Sequence, residues 1–286
     1  MVLIGVQQPG GSLNALESIG KCLADMRDWA LSQGIPSADI KIFTDVPVLM
    51  PLGAPVLTLN DIYQWIDLQA QDWRPADQLI IYFSGHGMVV GGAPQWLLPQ
   101  SPEKRWEAVD LSCSIADAES SRFGHVVFIA DCCSTVADNE QFDGVRGTSI
   151  LRNRLPHERP AKSKLVDCLE ASKPGKASIE TVIKGVSLSP YTVQLVRALR
   201  GTPPEILEPE VGGALVLRVR KLADQLSISV NDFLHANGID RYLEPRDKVV
   251  STTEWVAQFP RLSLPTQPPA RPGPPQPHKE IGRAHV

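Results

Sequence analysis

The chain has 286 residues, 43% of them hydrophobic, which is enough for one large core or two small ones. Its formal net charge of −4 offers no electrostatic basis for a nucleic-acid or anionic-membrane partner. No apolar run approaches the roughly 20 residues that span a bilayer. The opening Met1-Val2-Leu3-Ile4-Gly5 lacks the basic start and apolar length of a signal peptide, so a cytoplasmic location is expected.

In chain order, residues 2–6 (VLIGV) read as a first strand, followed by a loop through Pro9, Gly10 and Gly11. From Leu13 onward, Leu16, Ile19, Leu23, Met26 and Ala30 recur at helical spacing until Gly34 and Pro36 stop the helix. A short strand is predicted over 39–43 (DIKIF). After a loop at 47–55, Thr58 stands where it can cap a helix carrying Ile62, Trp65, Ile66 and Leu68. The run 79–83 (LIIYF) is apolar throughout, as a central parallel strand buried on both faces requires. A short segment at 96–98 and a helix over 107–120 precede a second such run, 126–130 (VVFIA). This alternation predicts a doubly wound α/β domain with a mostly parallel central sheet flanked by helices.

The second half is less regular. Residues 136–164 are polar and basic, with Arg146, Arg152, Arg154, Arg159, Lys162 and Lys164, and read as a long loop. A strand at 165–171 and helices near 190–200 and 213–236 complete a domain over 1–262. Residues 263–280 read as a linker, since 265–277 alone hold seven prolines. The last six residues, 281–286 (IGRAHV), match the translation of a common sequencing adapter. They are therefore expected to be artefactual, with a C-terminal recognition domain missing.

Two of the predicted central strands end in reactive groups. The first exits into Ser84-Gly85-His86-Gly87, the second into Asp131-Cys132-Cys133-Ser134. Sites in open α/β sheets form beyond the carboxyl ends of strands, so His86 and a thiol are expected on one sheet edge. A thiol beside an imidazole can ionise and attack a carbonyl, and the imidazole can then protonate the leaving amine. Side chains alternate along a strand, which puts Asp131 and Cys133 on one side and Cys132 on the other. Five cysteines (Cys22, Cys113, Cys132, Cys133, Cys168), odd in number and irregularly spaced, do not suggest a disulfide scaffold. Cys132 and Cys133 have no further ligands at the usual zinc spacing. His125, His157 and His235 read as structural or surface residues.

Cys133 follows His86 by 47 residues, close to the interval of about 50 in caspase-type sequences. With that spacing, "YFSGHG" and "DCC" resemble the two active-site motifs of the metacaspase branch of the caspase-like cysteine peptidases. The resemblance implies a caspase-like α/β fold and an endopeptidase with His86 and Cys133 as its dyad, acting without an organic cofactor. It further implies an oxyanion hole from the backbone N–H groups of Gly87 and Cys133. Metacaspases cleave after Arg or Lys, so protein substrates with basic residues are implied, read by Asp131, by Cys22 and Asp25 of a C-x-x-D element, and by Ser84. The loop at 143–164 sits where such enzymes are often processed, and its arginines suit self-cleavage.

The chain departs from the family in reading Ser134-Thr135-Val136 after the nucleophile, where metacaspases usually carry His-Ser-Gly. Some metacaspases are activated by calcium, Ca2+, held by clustered acids; Asp138, Glu140 and Asp143 are the nearest candidates. Two other readings remain open here: a catalytically silent caspase-fold adaptor, and a caspase-fold peptidase with another P1 preference.

Overall fold

Leu79, Ile81 and Phe83 alternate with Ile80 and Tyr82, and all five are buried, so this strand has to lie between two packed layers. The fold that achieves this comes from a computed structural model, which describes residues 1–50, 53–70, 78–121, 123–136, 141–151 and 164–260. The first half runs β1 (Val2–Gly5), α1 (Ile19–Ser32), β2 (Lys41–Thr44), α2 (Leu59–Ala70) and β3 (Gln78–Gly85). A three-strand excursion follows, β4 (Gly87–Val90), β5 (Ala93–Leu97) and β6 (Ala108–Asp110), and then α3 (Leu111–Ala118) and β7 (His125–Cys132). Next come β8 (Thr135–Val136), β9 (Leu165–Glu170), the hairpin of β10 (Thr181–Ile183) and β11 (Val186–Leu188), and α4 (Pro190–Leu199). The chain then forms β12 (Glu208–Pro209), β13 (Leu215–Arg218), α5 (Val219–Ala236), β14 (Arg246–Lys248) and β15 (Trp255–Phe259).

Six strands make the central sheet in the order β2-β1-β3-β7-β9-β14, all parallel except β14. Strand alternation divides its side chains between two cores. Leu3, Ile80, Tyr82, Val127 and Ile129 pack with α1, α4 and α5; Ile4, Ile81, Phe83, Val126 and Phe128 pack with α2 and α3. Trp29, fully buried on α1, donates its Nε1–H to the Leu199 carbonyl at 3.0 Å and so ties α1 to α4. On the other face Phe83 stacks on Trp96 with ring centroids 4.8 Å apart, which anchors the β4–β6 excursion.

Helix α1, expected from Leu13, begins only at Ile19, because the loop before it has other uses for its backbone. The Leu16 N–H donates to the Gln7 carbonyl at 2.9 Å, and the Asn14 carbonyl meets His86. The helix expected over 107–120 is divided: β6 comes first, and the Asp110 side chain accepts the Cys113 N–H at 2.8 Å to start α3. Likewise the segment read as a helix from 213 is β13 followed by α5. Thr58 caps α2 as expected, its Oγ1 accepting the Asp61 N–H at 3.3 Å while Asp61 accepts the Thr58 N–H at 2.9 Å. The tail from 261 on and the arginines at 152, 154 and 159 lie outside the described residues. No helix among the described residues is long and apolar enough to cross a membrane.

His125 opens β7, at the far end of that strand from Cys133, and is buried. Its Nε2 lies 2.8 Å from Asp167 and its Nδ1 lies 2.8 Å from the Gln78 side-chain amide. Because the contact is with the amide nitrogen, which only donates, Nδ1 accepts and Nε2–H donates to Asp167. Burial alone would raise the Asp167 carboxyl, but the His125 ring, the Ser251 hydroxyl and the N–H groups of Ser251 and Val250 hold it below the usual range. This histidine ties three segments together.

Candidate active site

Parallel pairing of β3 with β7 sets Ser84 beside Asp131 and Gly85 beside Cys132. One step further along that register, past the last paired residues, His86 and Cys133 leave adjacent strands on the same sheet edge. Neighbouring strands lie about 4.8 Å apart, so pairing alone delivers an imidazole and a thiol to one place. Both line a single cleft, with Ser84, Asp131, Ser178 and Glu180 also in its wall. Strand phase then separates the two cysteines. Cys132 continues the Val126, Phe128 and Ala130 series into the core beneath α2 and α3. Cys133 follows Asp131 to the other side and is partly exposed.

Two glycines flank His86 because nothing larger fits. A Cβ on Gly85 would come within 2.9 Å of the Phe83 ring and 3.2 Å of the Val6 carbonyl. At Gly87 it would stand 2.6 Å from the Cys133 carbonyl oxygen and 2.7 Å from the Cys132 sulfur. The backbone of Gly87 therefore runs directly against the Cys132–Cys133 turn.

The His86 ring is oriented by a backbone carbonyl. Its Nε2 lies 2.8 Å from the Asn14 carbonyl, an acceptor only, so Nε2 carries the proton and Nδ1 keeps its lone pair. Sequence reasoning missed Asn14 because any residue there supplies the same carbonyl. Burial lowers the pKa of His86, against an opposing pull from the Asn14 carbonyl and the Glu180 charge, so the ring is neutral near pH 7.

The Cys133 thiol donates to the Ser178 carbonyl at 3.5 Å. Burial raises its pKa, the Ser178 contact lowers it, and Asp131 raises it again, for a net upward shift. Thiol and imidazole are thus both uncharged in this closed arrangement. Residues 175–178 lie over the cysteine turn: the Gly175 N–H donates to the Ser134 carbonyl at 2.6 Å, and the Ser134 N–H donates to the Lys176 carbonyl at 2.9 Å. The cleft encloses about 40 Å3, room for a few water molecules and no more. A raised thiol ionises only at high pH, so alkylation of Cys133 by iodoacetamide in the substrate-free chain should keep accelerating past pH 9, the ordinary thiol value. A rate that levels off by pH 7 would mean the thiol is already ionised there.

Asp131 is buried on the cleft floor. Its carboxylate accepts the Thr192 hydroxyl, and the Tyr82 hydroxyl lies 2.5 Å from the same Thr192 oxygen. Burial pushes its carboxyl up, opposed by the hydroxyls of Ser189, Thr192 and Ser178. Ser189 also caps α4 by accepting the Thr192 N–H, which turns the positive end of that helix toward Asp131. Cys22 is buried among Ser84, Tyr82 and Thr192, and burial first, then Asp131, push its thiol up to about 12. Ser84 and Cys22 therefore neighbour Asp131. Asp25 does not join them: it pairs with Lys21 at 2.8 Å on the outer side of α1 and forms no part of the cleft wall.

Sequence reasoning also missed Glu180, which lies in the segment leading into the β10–β11 hairpin. Its carboxylate accepts the Ser18 N–H at 2.6 Å, closing the cleft against the start of α1. The hairpin turns at Lys184 and Gly185, both at positive φ, as a two-residue type I′ turn requires. The Lys-Gly pair between short apolar stretches was the available signal, and a weak one.

Asp138 and Glu140 lie outside the described residues, and Asp143 lies within them. Among the described residues no group of three His, Cys, Asp or Glu side chains is arranged to hold a metal ion. A larger cavity of about 640 Å3, lined by Met1, Gln33, Gln78 and Trp255, opens at the amino-terminal end of the strands and holds neither thiol nor histidine. The cleft that holds His86 and Cys133 lies at the opposite edge, where open α/β sheets form their sites.

No model of a known protein family matches the chain, and no curated protein does. Solved structures do. Caspase-1 from Spodoptera frugiperda aligns over 87% of this chain and 86% of its own, at 11% identity and a TM-score of 0.53. Pro-sf-caspase-1 aligns over 88% and 86%, at 12% identity and the same TM-score. At such identity the likeness is one of fold, and it extends over most of both chains: this protein has a caspase-like α/β fold.

Proposed function

We propose that the chain is a cysteine endopeptidase of metacaspase type, with Cys133 as nucleophile, His86 as general base and then acid, and a preference for Arg or Lys at P1. The observation that carries this reading is the β3–β7 register, which supports a dyad by ending two neighbouring strands in His86 and Cys133. The Asn14 carbonyl supports it further by leaving Nδ1 of His86 free to take a proton.

In the proposed reaction, substrate displaces the Ser178 carbonyl from the thiol, and Nδ1 of His86 takes the Sγ proton. The thiolate attacks the scissile carbonyl carbon, and the N–H groups of Gly87 and Cys133 hold the resulting oxyanion. Collapse breaks the C–N bond, and the imidazolium gives its proton to the departing amine. Water, deprotonated by Nδ1, then hydrolyses the thioester and restores the thiol. The proton taken from Sγ leaves on the amine, and the proton taken from water restores the thiol, so thiol and imidazole end as they began. Calcium takes no part in these steps. The same specificity would let the enzyme cleave its own loop at 143–164.

Matched reporter peptides with Arg, Lys or Asp at P1 test the reading. Arg and Lys peptides should be hydrolysed at least about 100-fold faster than the Asp peptide, since an acid facing a carboxylate-lined cleft is repelled and leaves buried charge unpaired. Faster cleavage after Asp would keep the peptidase and remove the basic preference. No cleavage of any peptide by folded protein, with calcium supplied, would favour a silent adaptor.

A further inference from the structure

The cleft wall contains two carboxylates, Asp131 and Glu180, and no lysine or arginine among the described residues. They are not equivalent. Asp131 is buried on the floor and committed to the Thr192 hydroxyl, with Ser189 and Ser178 close by. Glu180 is half-buried in the wall, with one oxygen fixed by the Ser18 N–H at 2.6 Å. A carboxylate offers about four lone-pair sites, so this anchor orients the group and leaves most of its capacity unused. Asp25 is turned away, paired with Lys21 on the outer side of α1.

We infer that Glu180 is the acid that reads the positive charge of the substrate's P1 side chain, in the place the C-x-x-D resemblance gives to Asp25. The inference rests on the basic-P1 reading above. A guanidinium entering from solvent meets Glu180 before it reaches Asp131, and can bond the free carboxylate oxygen while leaving the Ser18 contact intact. Asp131 then supplies negative potential from below and Glu180 supplies the direct contact.

The test compares Arg with citrulline at P1 in otherwise identical peptides, using the full chain. Citrulline keeps the shape of arginine and replaces the guanidinium with a neutral ureido group, so the ratio of the two kcat/KM values isolates charge reading from catalysis. Glu180→Gln should lower the Arg-to-citrulline ratio about 10- to 100-fold, as expected for loss of one charge-assisted bond. Asp25→Asn should change the ratio less than about threefold. Should Glu180→Gln fail to fold, Glu180→Asp keeps the charge but withdraws it by one methylene, and should still lower the ratio by about threefold or more. A ratio unchanged in the folded Glu180 variant, or one lowered more by Asp25→Asn, overturns the inference and leaves the basic-P1 reading intact. A wild-type chain that does not distinguish Arg from citrulline overturns both.

Discussion

Replacing Cys133 with alanine should lower peptide hydrolysis by at least about 10⁴-fold, to the level left by binding and oxyanion contacts alone. Cys132→Ala should keep activity within about tenfold of wild type and cost about 1 kcal/mol of stability. The contrast follows from one residue's difference in strand phase. Cys132 is buried in the core beneath α2 and α3, and burial above all raises its thiol far out of reach of ionisation. Its sulfur acts as a small apolar group, and its loss leaves a methyl-sized void. Cys133 is partly exposed, in one cleft with the His86 ring, and its thiol donates to a backbone carbonyl. Steady-state rates on an Arg peptide, with urea melts of each variant, separate the two effects. A Cys132→Ala chain as inactive as Cys133→Ala, at unchanged stability, would assign the nucleophile to the wrong thiol.

Gly87→Ala should cost about 1–3 kcal/mol of stability and about 100-fold in kcat. The added methyl would meet the Cys133 carbonyl oxygen at 2.6 Å and the Cys132 sulfur at 2.7 Å, and the first of these is backbone that no rotamer change can move aside. Relief must come from moving β4 away from the cysteine turn, which displaces both N–H groups assigned to the oxyanion. A shift of about 1 Å in such donors is enough for a loss of this size. The urea midpoint and kcat, measured on the same preparation, report the two consequences. A variant with wild-type kcat would show that the oxyanion is held elsewhere.

The central strands, β3 and β7, were legible in the sequence because each is buried on both faces and must be apolar throughout. The same reasoning found His86 and Cys133, since reactive residues at two strand exits break an otherwise apolar pattern. That the two share one sheet edge was legible too, but the residue-by-residue pairing of β3 with β7 was not, because it depends on a non-local register that no local spacing encodes. The β10–β11 hairpin was missed for a related reason: its strands have three residues each, too few to display alternation. With it went Glu180 and Ser178. Asn14 acts through its carbonyl, which the side chain does not advertise. Asp25 illustrates the opposite case, in which a motif match places an acid by analogy while the helix turns it toward Lys21 instead. Helix periodicity read from Leu13 was real, but the backbone of 13–18 serves the loop and the cleft before α1 begins.

The claim that Cys133, paired with His86, is the reacting thiol is tested most directly by trapping it. The full chain is treated at neutral pH with a peptidyl arginine chloromethyl ketone, and the modified residue is located by peptide mass spectrometry. The account predicts a single adduct on Cys133, formed as readily in Cys132→Ala and suppressed in His86→Ala. An adduct on Cys132, or labelling of Cys133 that proceeds equally well without His86, would contradict it.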